Sequence, residues 1–235
     1  MVFTPEQIAE WSARGFEVNA DGYLTKYTGA DPHVEIPEGV TEIRGWVFRG
    51  CGSLESVTIP NSVKTLEIRA FSRCPNLLLV ELQEGLQHIG SYAFEECERL
   101  QSVVIPNSVR TLGNGAFARC RSLTSVVLPE GLVDIKPFTF EFCRSLQSVV
   151  LPNSVRIIGA CVFHGCLSLR SVVLPEGLQH IGSCAFKDCK SLQSVVIPDS
   201  VQSVHARAFE GCGNLKFICC SEQQWQRLQQ QGVVF

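Results

Sequence analysis

No apolar run in these 235 residues approaches the ~18 that a membrane-spanning helix needs. The opening stretch, Met1 to Trp11, carries Glu6 and Glu10 and has no long apolar segment, so it does not read as a secretory signal. Charge of one sign is lacking too: the net value of -3 gives no general pull toward nucleic acid or an anionic membrane. Gly-rich phosphate loops, His-Glu-x-x-His and Gly-x-Ser-x-Gly are all missing, as is any Cys-x-x-Cys pair. These absences set the expectation of a non-enzymatic chain without catalytic residues, cofactor or metal. As it stands, the expected location is the cytoplasm, whereas a longer precursor with an export signal would move it to the cell surface.

What the chain does have is a beat. Phe48, Phe71, Phe94, Phe117, Phe140, Phe163, Phe186 and Phe209 recur every 23 residues without an insertion or deletion. Three residues behind each comes a cysteine, from Cys51 through Cys212. Prolines keep the same period at Pro37, Pro60, Pro106, Pro129, Pro152, Pro175 and Pro198, missing only at Gln83. A fixed period in this range marks a solenoid, in which each unit packs on its neighbours and the ends need caps. With 45% hydrophobic and 18% charged residues, the composition is that of a packed chain and not of a disordered one.

Twelve cysteines would ordinarily suggest a disulfide framework. Eight of them share one repeat column, which stacks them side by side in the interior, pointing the same way and poorly aimed for bonding. Reduced, buried thiols are the expectation. Cys161 and Cys184 share a different column in adjacent units, either as packed thiols or as a pair that oxidation would join. A zinc set of Cys212, Cys219, Cys220 and His205 is the one metal arrangement the C-terminal end suggests, and Cys212 already belongs to the core column.

Within a unit, Val126 and Leu128 lie two apart and should face inward, with Ser125 and Val127 outward, the alternation of a strand that proline then ends. A second short extended piece follows, Val109 to Leu112 in one unit. Next comes Gly-x-x-Ala-Phe-x-x-Cys, with glycine read as permitting a bend and the remainder as one helical or 3₁₀ turn. These columns resemble BspA-like, or treponemal-type, leucine-rich repeats, in which Ile-Pro, Ile-Gly-x-x-Ala-Phe and Cys-x-x-Leu recur. The match runs from Val34 to Ile218. The resemblance implies a curved solenoid with a parallel sheet on one face, and implies binding or adhesion only loosely.

The expected fold is therefore an α/β repeat solenoid: a leucine-rich-repeat parallel sheet with short helical or 3₁₀ turns and a helical cap at each end. An N-terminal cap of helix plus hairpin occupies residues 1–30, eight 23-residue units occupy 31–220, and a cap helix and tail occupy 221–235. Eight strands at about 4.8 Å spacing make a sheet roughly 35–40 Å long. Thr4-Pro5-Glu6-Gln7 has a capping box and a first-position proline, with Ile8 and Trp11 as an apolar stripe. Asp21-Gly22 signals the hairpin. Ser221 and Gln224 repeat the capping spacing, and Trp225 with Leu228 should cover the last core layer. Trp11 and Trp225 are read as lids, with recognition aromatics as the alternative.

Only the outward columns are free to carry function. Val104, Val127, Val150, Val173 and Val196 form an apolar stripe beside a serine row, which reads either as a contact surface or as β-propensity kept by duplication. Residues 76–83 depart most from the pattern, through Leu78, Leu79 and Glu81. Trp46 and Tyr92 stand in the most variable column. With the valine row, Leu78 and Leu79, they are the candidate contacts for a protein or peptide partner. Self-association through the stripe or the terminal strand is the alternative; neither nucleic acid nor membrane insertion is expected.

Overall fold

The structure, a computed structural model, describes residues 3–233, together with the backbone but not the side chain of Phe217. Helix α1 (Pro5–Ala13) leads into β1 (Phe16–Val18) and β2 (Tyr23–Tyr27). Each coil then contributes two strands: β3 (His33–Glu35) and β4 (Glu42–Ile43), β5 (Ser56–Ile59) and β6 (Thr65–Leu66), β7 (Leu79–Leu82) and β8 (His88–Ile89). The pattern continues with β9 (Ser102–Val104) and β10 (Thr111–Leu112), then β11 (Ser125–Val127) and β12 (Asp134–Ile135). Next come β13 (Ser148–Val150) and β14 (Ile157–Ile158), then β15 (Ser171–Val173) and β16 (His180–Ile181). The chain ends with β17 (Ser194–Val196), β18 (Ser203–Val204), β19 (Phe217–Cys219) and α2 (Glu222–Gln230).

The odd strands from β3 to β19 stack in parallel as the first face, hydrogen-bonded as β3-β5-β7, β9-β11, β13-β15 and β17-β19. The even strands stack as the second face, in a run that opens with β1-β2 and continues to β10, then resumes from β12 to β18. The break between β10 and β12 falls where Lys136-Pro137 stands in place of Gly-x. The register is one repeat throughout, as in Val126 opposite Val103 and Ile158 opposite Ile135. Inward valines, leucines and isoleucines from both faces meet the phenylalanines of the third, turn-built side in one continuous core. The eight phenylalanine rings stack at centroid distances of 4.7–5.9 Å, with interplanar angles of 4–16°. Burying each such ring contributes roughly 1.5–3 kcal/mol, which no unit realises without its neighbours.

The cysteine column has a more specific role than filling space. Most of the phenylalanine carbonyls accept the cysteine N–H of their own turn; Phe94 O, for example, accepts from Cys97 N at 3.3 Å. Its second lone pair accepts the thiol of the next coil, as in Cys120 Sγ to Phe94 O at 3.1 Å. The same thiol bond recurs from Cys74 through Cys212, at 3.0–3.2 Å. All twelve cysteines are free. Burial pushes the Cys120 thiol up to about 12, and Cys97, Cys143, Cys166 and Cys189 are raised for the same first reason.

One local expectation needs correction. The glycine before Ala-Phe does not serve a bend, since Gly113 and Gly182 lack positive φ. A Cβ there would lie 2.3 Å from Ser91 N or 2.7 Å from Gly159 C, so glycine is required for the close approach of the preceding coil. The Ala-Phe-x-x-Cys segment has the i→i+3 bonding of a single 3₁₀ turn, as expected. Left-handed residues interrupt it at two columns: Trp46, Arg69, Tyr92, Phe138, Cys161 and Cys184 in one, and Arg73, Glu96, Arg119, Phe142 and Asp188 in the other. The freed main-chain groups bond between coils, as in Phe94 N to Ala116 O at 2.8 Å.

At the N-terminus the capping box is formed: Gln7 N donates to Thr4 Oγ1 and Thr4 N to Gln7 Oε1. Trp11 is buried, with the Phe3 ring edge-on at 4.9 Å, whereas Ile8 is exposed and is not part of a buried stripe. The hairpin forms, but its loop is built around Asn19, whose side chain accepts from Asp21 N and Tyr23 N. At the C-terminus, Ser221 caps α2 as expected. Leu228 is buried, but its partner on the inner face is Gln224, four residues earlier, while Trp225 is 36% exposed.

Candidate interaction surface

The first face carries the valine row. Val104 is in register with Val127, and Val150 with Val173, while Val126 and its equivalents take the alternate, inward positions. The five outward valines are 56–66% exposed and span about 19 Å at the usual strand spacing. Alongside runs the serine row, Ser102 through Ser194, all exposed. Beyond it lie Gln101, Thr124, Gln147, Arg170, Gln193 and Lys216. Toward the N-terminus the valine column turns polar, as Glu81, Thr58 and Glu35, with Thr58 Oγ1 donating to Glu81 Oε2 at 3.2 Å. Its C-terminal continuation is the exposed Cys219 opposite Val196.

Leu79 stands in the serine row, opposite Ser56 and 46% exposed, so it adjoins the stripe. Leu78 is half-buried. The irregularity at residues 76–83 also has a main-chain consequence. Gln83, replacing proline, donates its N–H to Ile59 O at 3.2 Å, and β5 and β7 are four residues long where later first-face strands have three. Leu82 is only half-buried at a column where Ile59 and Ile105 are fully buried.

Trp46 and Tyr92 fall on the turn side instead, two coils apart in one left-handed column, so they do not join the valine row in one footprint. The Arg69 guanidinium between them lies 5.1 Å over the Tyr92 ring. Around it the turn side is laced with ion pairs across coils: Arg73 and Arg119 with Glu96, Arg121 with Glu98, Lys187 with Glu210. Arg207 and Lys187 together hold the Glu210 carboxyl down at about 2. Much of the diversity in those columns is therefore complementary charge.

The C-terminal zinc set is not assembled as drawn from the sequence: Cys212 is buried with its thiol on Phe186 O, and Cys219 is exposed. Among the described residues, the donors that come together are Glu141, Cys161 and His164. Sequence reasoning missed this group because its members come from two coils and two columns. It also missed the inward role of Gln224, read only as a capping residue, and that of Gln231, which looks like an ordinary member of a solvated polar helix. Gln231 Oε1 accepts from Val204 N at 2.9 Å and its Nε2 donates to Gln202 O at 2.9 Å, closing the open edge of β18. No described helix is long and apolar enough to cross a membrane.

Comparison with known proteins agrees with this architecture. A leucine-rich repeat protein from Bacteroides ovatus superposes with a TM-score of 0.74 at 27% identity, over 83% of this chain and 58% of its own. The leucine-rich repeat protein of T. pallidum gives 0.65 at 30% identity, over 94% of each chain. One from Eubacterium ventriosum shares the fold at 0.66 and 24% identity, over 83% of this chain and 61% of its own. This chain thus spans less than two thirds of the Bacteroides ovatus protein's length. No curated protein matches it in sequence. The BspA type leucine rich repeat region matches in six copies over residues 26–143 and 133–230, and the chain belongs to that family of leucine-rich repeat proteins.

Proposed function

We propose that this chain is a non-enzymatic repeat scaffold that binds a protein or peptide along its first face. The observation that carries the reading is the row of five outward valines, one per coil and paired in register as Val104–Val127 and Val150–Val173, an apolar stripe on a rigid backbone. Repeat scaffolds of this family are generally interaction modules, and a stiff surface loses little conformational freedom on binding. The binding region is Val104, Val127, Val150, Val173 and Val196 with Leu79 and Leu78 at one end; Trp46 and Tyr92 supply a separate turn-side contact. In the same reading, residues 1–30 and 221–235 are end caps and 31–220 the binding solenoid.

The test replaces Val127, Val150 and Val173 by serine together and compares capture of host proteins with that of the unchanged chain. A partner retained by the native surface and lost from the variant, with identical circular dichroism, supports the reading. Equal capture by both rejects it. Self-association is the second reading, favoured by the stripe's own apolar character. Light scattering over a concentration series separates the two, since a strict monomer excludes the second.

A further inference from the structure

Two turn-side columns, two residues before each phenylalanine and one after it, lie three residues apart and stack coil upon coil. Over three successive coils they carry Glu141, then Cys161 and His164, then Cys184. Ligand atoms of Glu141, Cys161 and His164 all lie within 4.8 Å of one another, and the three residues are half-buried. His164 Nδ1 is 3.3 Å from Glu141 Oε1, while its Nε2 faces Asp188 Oδ2 at 3.6 Å. The Phe142 ring, 4.7 Å from the imidazole, packs against it. Burial raises the Cys161 thiol first, and the neighbouring Cys184 raises it further by charge and hydrogen bonding.

These two cysteines have no part in the core ladder. The core-column thiols from Cys74 to Cys212 are buried and donate to phenylalanine carbonyls, whereas Cys161 and Cys184 are partly exposed. Both sit at left-handed φ, 56° and 55°, in a column that accepts Gly115 at 60°. A thiol there adds backbone strain that glycine would avoid.

We propose that Glu141, Cys161, His164 and Cys184 bind one divalent transition-metal ion of the zinc class. Tetrahedral zinc with sulfur, nitrogen and oxygen ligands at about 2.0–2.3 Å places its donors about 3.3–3.8 Å apart. The His164–Glu141 distance already satisfies this; Cys161, within 4.8 Å of both, needs a contraction of about 1 Å, and Cys184, the neighbour of Cys161, would be the fourth donor. Nδ1 would ligate while the Nε2 proton faces Asp188, the carboxylate–histidine arrangement that fixes a ligating imidazole. Thiolate ligands select against magnesium and calcium. Lys187, the nearby cation, is engaged with Glu210 at 3.2 Å. Binding releases the thiol protons, so affinity falls as pH is lowered.

The site lies on the turn side, so its test is independent of the valine row. The reduced, chelator-treated 235-residue chain is titrated with Co²⁺. One equivalent should produce thiolate-to-cobalt charge-transfer absorption and visible bands of tetrahedral intensity, both removed by Zn²⁺. Cys161→Ser and His164→Ala should each weaken binding at least about tenfold, with Cys219→Ser unchanged. Absence of the thiolate band, unchanged Co²⁺ affinity in Cys161→Ser, or loss of the band in Cys219→Ser overturns the proposal. A second readout avoids variants: one equivalent of Zn²⁺ should protect Cys161 and Cys184 from alkylation, measured by mass spectrometry. Unprotected thiols at both positions overturn it equally.

Discussion

The two ends of the solenoid solve one problem by different means. At the N-terminus the second face is closed by main chain: β2 extends it in parallel beside β4, and β1 turns back antiparallel along the edge. At the C-terminus it is closed by side chains: Gln231 serves Val204 N and Gln202 O, while Gln224 Nε2 and Arg227 Nη1 both donate to Val201 O. Chain direction explains the difference. Residues preceding the first coil can lie along an edge before entering it. By contrast, the last strand, β19, belongs to the first face, so the chain has already left β18 one coil short. A helix crossing that end presents no free backbone groups laterally, and long amides must reach back.

This contrast predicts an order of sensitivities. The largest effect should come from Trp11→Ala, which removes the buried anchor over the first coils and should cost about 3–5 kcal/mol in urea unfolding. Leu228→Ala, the equivalent anchor at the other end, should cost about 2–4 kcal/mol, less if α2 frays separately. Gln231→Ala should cost about 1–2 kcal/mol by leaving two edge groups to water, with faster hydrogen exchange at Val204 as the local readout. If Gln231→Ala proves silent, the side-chain closure of that end is wrong. Thr4→Ala, which removes one cap bond, should cost about 1 kcal/mol and leave exchange in β4 unchanged. Smallest of all, Cys219→Ser should shift stability by less than about 0.5 kcal/mol. In native alkylation Cys219 should react first, and Cys120, buried with its thiol near 12, should react only on unfolding.

Much of the interior was legible because periodicity and burial coincide. The phenylalanine, cysteine and inward strand columns are invariant in kind, and each lies where a shared core requires it. The valine and serine rows were legible for the same reason, since alternation fixes which neighbours point outward. The role of glycine was not. A residue without a Cβ serves either a positive φ or a close approach, and composition alone does not separate them. Nor were the left-handed columns, because the usual glycine signal is replaced by Arg73, Tyr92, Cys161 and others. The helix α2 misled through size: Trp225 looks like the lid, but the four-residue spacing from Leu228 places Gln224 inward.

The sequence by itself determined the period, the register and the inward set, because a 23-residue repeat with no insertion admits one way of stacking its apolar columns. Tertiary structure decided what depends on neighbours in adjacent coils: why glycine must stand where chains nearly touch, how each end is closed, and which side chains of different coils meet. Glu141, His164, Cys161 and Cys184 are 43 residues apart from first to last. Only the coil spacing of the solenoid makes them neighbours.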